Sequence, residues 1–466
     1  MKNNKIFILL PDGIGLRNFA YSEFYKLGIT NDFDVVFWNN TPFQLTDLGF
    51  KEIKITNSKT NSITDVYKNA RKQIELNLNI KKSSDVVYNT YRFPFSYKNT
   101  KSAIKSLTTQ LLTKMYSSDK GLETIRKKII TLERNTLFYK QSIQTLKEQQ
   151  PALVFCTNQR PSSAIAPIIA AKDLGIPTVT FIFSWDNLPK ATMVVETDYY
   201  FVWSNHMKNE LLHYYPYIKK ETIFVTGTPQ FESHYDGFRL MEKVQFFEKY
   251  NLDTTKKYIC YSGDDITTCP DDPNYLNDVA KVVRDLNKQG HNLGIIFRRC
   301  PVDFSARFDE VLSKYHDIIV PIAPMWKRIG DGWNTILPTQ EDLNLQLNTI
   351  QHTEFVINLG SSMVFDYATQ KKPCMYINYD VKNKIIYDWS VKKIYNYIHF
   401  RSMPSKKSVV WIDSPMEIKK HLIENLDKNR TSNTIEHAQQ WFEKIVEQPA
   451  NKASERIWEA IKTILK

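Results

Sequence analysis

The sequence predicts an α/β protein of two domains, each built on a doubly wound parallel sheet. Three observations carry this expectation. Short apolar runs alternate with helical stretches along almost the whole chain. Most of these runs are continuously apolar rather than alternating, which is the pattern of strands covered by helices on both faces. A chain of 466 residues with 42% hydrophobic content exceeds one ordinary core, so two domains of about 200 residues each are expected.

In chain order, strands of the first domain are expected at 5–10, 34–38, 152–156, 178–183, 199–203 and 222–226. Those of the second are expected at 258–262, 293–297, 317–320, 355–358, 374–377 and 409–412. Repeated strand–helix–strand order calls for crossover connections and parallel pairing. The turn-rich stretch TGTPQFESHYDGF places the seam within 229–253, with a helix at 239–250 beyond it. The domains are therefore 1–235 and 236–432, followed by a helical tail, 433–466, interrupted at Pro449.

One segment, 91–150, breaks the alternation. It carries KSAIKSLTTQLLTKM and GLETIRKKIITLERNTLFYKQSIQTLKEQ, both helical with an apolar stripe. Residues 92–148 hold twelve Lys/Arg against four Asp/Glu, so +8 of the chain's +12 lies in this insert. It reads either as solvated helices covering the sheet or as a platform for an anionic membrane or a phosphorylated acceptor. The basic balance suits an acidic partner. No nucleic-acid recognition motif accompanies it, and the charge is confined to one insert, so no nucleic-acid partner is expected.

The apolar run at the N-terminus, 6–10, is shorter than that of a signal peptide and is cut off by Pro11-Asp12-Gly13. No apolar run reaches membrane-spanning length. The five cysteines, Cys156, Cys260, Cys269, Cys300 and Cys374, form no CxxC pair, which fits a reduced cytoplasm.

The chemistry-bearing motifs lie at expected strand ends, where open α/β sheets form their ligand crevice. INLGSSMVFDYATQKKPCMYI places Gly360, Ser361 and Ser362 between a strand and a helix, with Asp366 one turn in. Backbone N–H groups and hydroxyls at such a turn suit a phosphate, and the carboxylate suits ribose hydroxyls. An ordinary helix cap reads equally well. FRRCP puts Arg298 and Arg299 after a strand, either as a diphosphate clamp or as a structural ion pair. Gly263, in YSGDD, and Gly13 and Gly15, in LPDGIGLRN, mark loops where backbone can approach a ligand, with Arg17 following. The latter loop lacks the third glycine and the ribose acid of a dinucleotide fingerprint, so no dinucleotide site is expected there. Asp12 and Asp186 are the candidate bases, against an Asx turn and a plain loop acid respectively. Trp185, in SWDN, is a candidate sugar platform or a buried loop anchor. Asp264, Asp265, Asp271 and Asp272 read as loop acids, and no obligatory metal is expected.

NLGSSMVFDYATQKKPCMYI, VTGTPQFE and SWDN together resemble the two-Rossmann-domain, GT-B-fold glycosyltransferases. The likeness is greatest to bacterial surface-polysaccharide enzymes and CDP-glycerol glycerophosphotransferase-like proteins. The resemblance implies two doubly wound domains facing a central cleft, with the helical basic insert in the first. It implies that the second domain binds a nucleotide-sugar donor through Gly263, Arg298, Arg299, Gly360, Ser361, Ser362 and Asp366. The family's more usual acid at that last place is Glu, so Asp366 is a departure. The first domain would bind a saccharide or lipid-linked acceptor through Gly13, Gly15, Arg17 and Trp185. Asp12, Asp186 and Arg298 would carry the chemistry, with no cofactor beyond the co-substrate. The last helix, with Trp441 and Trp458, would cross back onto the first domain. The expected place is the cytoplasm, peripheral to the inner face of the cell membrane. A nucleotide-sugar 2-epimerase and a non-catalytic clamshell or scaffold protein of envelope assembly are the alternatives.

Overall fold

The computed structural model describes residues 3–330 and 335–466. Seven strands form the first sheet: β1 (Lys5–Leu10), β2 (Asp34–Asn39), β3 (Glu52–Lys54), β4 (Leu153–Cys156), β5 (Thr178–Phe181), β6 (Tyr199–Val202) and β7 (Ile223–Val225). The second sheet takes β8 (Lys257–Ser262), β9 (Leu293–Arg298) and β10 (Ile319–Pro321). A separate two-stranded sheet, β11 (Lys327–Arg328) with β12 (Ile336–Leu337), comes next in the chain. The second sheet is completed by β13 (Val356–Asn358), β14 (Cys374–Ile377) and β15 (Val410–Ile412).

The strand orders are β3-β2-β1-β4-β5-β6-β7 and β10-β9-β8-β13-β14-β15. Both sheets are parallel in the pairings β1 makes with β2 and β4, and β8 makes with β9 and β13. Each sheet starts at its centre, runs to one edge, then returns and runs to the other. The order therefore reverses between β1 and β4 and between β8 and β13, and the crevices at those points open at the carboxyl ends of the strands.

The chain divides into two units. Unit 1 is Met1–Gln230, Arg328–Leu337 and Ile445–Lys466; unit 2 is Phe231–Lys327 and Pro338–Lys444. The continuously apolar runs became central strands: every residue of β1 after Lys5 is buried, as is all of β4. The sequence reading omitted β3, whose EIK is half-buried at the sheet edge and too polar to stand out. The helix expected at 239–250 is shorter, Lys243–Lys249.

The insert has two characters. Helices Asp119–Arg134 and Leu137–Gln149 are built into the unit 1 core, where Ile125, Ile129 and Leu146 pack with Phe7, Trp38 and Val154. Arg126 is not a surface cation: it pairs with Glu196 and lies 3.3 Å over the Tyr217 ring. Helix Thr100–Met115 is different, with Ile104, Leu107, Leu111 and Met115 each 58–63% exposed. Among the described residues, no helix is long and apolar enough to cross a membrane.

Helix Ala453–Ile464 belongs to unit 1. Trp458 is stacked between Phe24 and Phe33, 4.8 Å from each ring, and donates Nε1–H to the Phe24 carbonyl. Trp441 lies instead in unit 2, against Phe365, and donates to the Ser402 hydroxyl.

Candidate functional site

In unit 1 the reversal point between β1 and β4 holds a pocket of about 450 Å³. Asp12 enters it from the end of β1, Asn158 and Arg160 from the end of β4, and Phe183 from beyond β5. Lys68 and Lys72 come from helix Thr64–Ser83, four residues apart and so on one face.

Asp12 is almost wholly buried. Its Oδ2 accepts the Asn158 amide at 2.9 Å and its Oδ1 the Ile14 N–H at 3.2 Å. Burial raises its pKa above the ordinary carboxylate value, and those two hydrogen bonds offset the rise only in part. Burial also pushes the Lys72 ammonium down to about 8, assisted by the like charges of Arg160 and Lys190.

The other unit 1 candidates are placed differently. Asp186 is paired with Lys190, one turn on, and accepts from the Asn187 amide; it does not line the pocket. Trp185 is buried, so it anchors its loop rather than offering a ring to a sugar. A side chain at Gly13 would strike the Ile336 carbonyl, and one at Gly15 would come 2.7 Å from the Thr157 hydroxyl. Internal packing thus accounts for both glycines. Arg17 is half-buried and is not part of the pocket lining.

In unit 2 the loops after β8, β9 and β13 converge. Gly263 donates its N–H to the Arg298 carbonyl, and Asp264 accepts the Leu359 N–H. Gly263 is closely hemmed, with Phe297, Asp272 and Phe308 within 3.1–3.3 Å of where a Cβ would sit. Gly360 adopts a left-handed φ of 69° beside Phe400 and Tyr395, a conformation that disfavours other residues. The Ser361 N–H is already taken by the Asn358 side chain, while Ser362 makes no side-chain cap bond.

Arg298 and Arg299 separate in character. Arg298 is 4% exposed and Nη2 donates to both oxygens of buried Asp342, at 2.9 and 2.8 Å. Its Nη1 is buried without a hydrogen-bond partner among the described residues. Arg299 is half-buried, donates to the Ser305 carbonyl, and lies 3.9 Å from Asp309. Asp366 does not present a free carboxylate to a ribose: it is buried, with Oδ1 2.8 Å from His234 Nε2 and 3.4 Å from the Gln346 amide.

Asp264 and Asp272 are not plain loop acids. Asp272 is buried, accepts the Tyr261 hydroxyl and the Asp264 N–H, and is raised to about 6 by burial. Burial, then the charges of Asp272 and Asp265, hold Asp264 well above the carboxylate range. Asp265 does behave as a turn acid, accepting from Thr267 and Thr268. Sequence reasoning missed Lys72, Arg160 and His234. The i, i+4 spacing of Lys68 and Lys72 was the one available signal for the first. His234 stands 132 residues from its partner and gave none.

No protein-family model matches the chain, and no curated protein matches it in sequence. Solved structures do match in fold. A Staphylococcus aureus MnaA–UDP complex aligns over 100% of this chain and 97% of its own, at 14% identity and a TM-score of 0.55. A glycosyltransferase from Rickettsia africae aligns over 100% of both chains, at 11% identity and a TM-score of 0.53. The wall teichoic acid polymerase TagF aligns over 99% of this chain and 89% of its own, at 12% identity and a TM-score of 0.51. At such identities the likeness establishes the architecture alone: two Rossmann-like α/β units of the GT-B fold.

Proposed function

We propose that this protein is a glycosyltransferase moving a sugar from a nucleotide-sugar donor to a cell-surface polysaccharide or lipid-linked acceptor. The observation that carries the reading is the buried Asp12 carboxyl in a pocket of its own in unit 1, on a different sheet from the loops that suit a nucleotide. A transferase needs two binding places, one for each substrate. Its acceptor hydroxyl also needs a base, and a carboxyl raised toward neutrality is better matched to that proton than an ordinary one. In this reading Asp12 is the base. Arg299, with Nη1 of Arg298, faces the departing diphosphate, and the loops at Gly263 and at Gly360–Ser362 hold the phosphates. No resident cofactor or obligatory metal enters the reaction.

The exposed ridge of helix Thr100–Met115 supports a peripheral place at the inner face of the cell membrane. Ile104, Leu107, Leu111 and Met115 form an apolar stripe, and Lys101, Lys105 and Lys114 stand on the same helix. That combination suits an anionic lipid surface.

A second reading is a nucleotide-sugar 2-epimerase. Several of the matching structures are UDP-N-acetylglucosamine 2-epimerases, one of them, from Neisseria meningitidis, bound to UDP-GlcNAc. The buried His234–Asp366 pair and the acids Asp264 and Asp272 in unit 2 fit it as well. Product analysis separates the two. A thermal-shift panel of nucleoside diphosphates first identifies the base, since binding stabilises the fold by mass action. The matching nucleotide sugar is then incubated with and without acceptors. Transfer, or slow release of free sugar, supports the transferase. Conversion of donor alone into its 2-epimer overturns it. Binding without any turnover leaves only a clamshell or scaffold role.

A further inference from the structure

The charges lining the unit 1 pocket do not balance. Its charged side chains are Asp12, Lys68, Arg71, Lys72 and Arg160. Arg71 is fully engaged by Glu75 at 2.8 Å and Glu196 at 3.0 Å. Lys68 is held by Asp65 at 2.9 Å and donates to the Ser162 hydroxyl. Lys72 and Arg160 make no ion pair with any described residue. Lys72 lies 4.1 Å from the Phe93 ring centroid, a contact that accepts a cation without neutralising it. Arg160 is exposed, and its charge acts on both Asp12 and Lys72, so the three groups share one space. Asp12 is engaged by the Asn158 amide and the Ile14 N–H and forms no ion pair with either cation. Two cations converging on a concave surface without an ion-pair partner define a place for an anion.

We propose that this pocket recognises a phosphomonoester, clamped between Lys72 and Arg160. The dianion is favoured over a carboxylate because two cations, neither held in an ion pair, face the same space, and a phosphomonoester carries a charge of about −1.5 to −2 at neutral pH. Ile14, Phe183 and Met193 supply apolar lining for the remainder of the ligand. The inference rests on the transferase reading for its meaning: the anion belongs to the acceptor, and its hydroxyl lies toward Asp12. The recognised chemistry is shared by a small sugar or polyol phosphate and by a prenyl-type lipid phosphate.

The test uses the full chain and two probes, glycerol 3-phosphate and farnesyl phosphate, with glycerol and farnesol as uncharged controls. Affinity is measured by calorimetry at fixed ionic strength, and UDP binding is measured alongside. The expected result is binding of one or both phosphates but neither alcohol. Lys72→Gln and Arg160→Gln should each weaken it about tenfold or more, with UDP affinity unchanged within twofold. Preference for farnesyl phosphate identifies a lipid source, and equal binding a water-soluble one. Arg160 is exposed, so its variant keeps the test valid if Lys72→Gln disturbs folding. No phosphate binding by the wild type, or wild-type affinity in both variants, overturns the proposal. Intact phosphate binding without any sugar transfer overturns the transferase reading instead and leaves the anion pocket standing.

Discussion

Adjacent arginines should differ in how much stability the same substitution removes. Removing the Arg298 side chain leaves Asp342 buried, holding a negative charge with the Met325 N–H at 2.8 Å and the Trp326 indole N–H at 2.7 Å. Breaking a buried ion pair from one side typically costs about 3–5 kcal/mol. Two surviving hydrogen bonds from uncharged donors trim the penalty, so about 3 kcal/mol is expected for Arg298→Ala. Arg299 has one carbonyl acceptor and a loose partner, Asp309, that is itself exposed. Its substitution by Ala should cost less than about 1 kcal/mol. Urea unfolding followed by intrinsic fluorescence measures both, since a stability change moves the midpoint in proportion to ΔG/m. Turnover is measured in parallel. Arg299→Ala should keep its midpoint and lose activity by about 100-fold, the scale for one lost electrostatic donor in a transition state. A wild-type midpoint for Arg298→Ala, or equal shifts for the two variants, would refute the argument. A wild-type midpoint would leave Arg298 without a structural role, and equal losses would give Arg299 the same role as Arg298.

Asp12→Asn should lower transfer by about 100-fold or more, and the wild-type rate should fall on the acid side at a pH above the ordinary carboxylate range, because the base form of a raised acid is lost early. The sign of the stability effect also follows: with a folded pKa above the unfolded one, stability declines as pH rises between the two, so Asp12→Asn should be more stable than wild type at pH 7 and lose that advantage below about pH 4. Asp366→Ala should lower the melting temperature without nucleotide, since it strips a buried His234 nitrogen of its partner at a cost of about 1–3 kcal/mol; unchanged nucleotide affinity in the folded variant removes Asp366 from the donor site. Leu107→Glu with Leu111→Glu should abolish co-sedimentation with anionic vesicles, as each buried Leu is worth about 1.5–3 kcal/mol; binding that persists, or that ignores lipid charge and salt, counts against membrane docking by this helix.

The sequence disclosed the architecture because most of its strands are covered on both faces, and such strands advertise themselves as unbroken apolar runs. KIFILL and DVVFWN are examples, whereas EIK, at an edge, follows no such pattern. It disclosed site positions for a related reason: residues at or just after the carboxyl ends of parallel strands border the crevice, which is why Asp12 and Arg298 were legible. Their partners were not. Asp342 is 44 residues from Arg298, and Asn158 is 146 from Asp12, and no local spacing encodes such pairs. Hence the sequence could not say that Arg298 is half engaged internally, or that Asp366 is turned to His234. Gly13 and Gly15 misled in the other direction: glycine marks a close approach, but in both cases the approaching atoms are the protein's own. Lys72 was hidden among many helical lysines, and only the third dimension distinguishes one that lacks an ion-pair partner.

The return of the chain into unit 1 at Ile445 has a consequence for how the protein is made. Synthesis proceeds from the N-terminus, so the last piece of unit 1 emerges after unit 2 has been translated through Lys444. Until then the gap between Phe24 and Phe33 lacks Trp458, and Gly28, whose hydrogen faces that ring, borders an unfilled apolar groove. Unit 2 can therefore complete its sheet first, while unit 1 waits with its own sheet assembled and one side uncovered. During that interval the groove is an uncovered apolar surface open to mispairing with another nascent chain, and a chaperone that shields it would act on unit 1 alone.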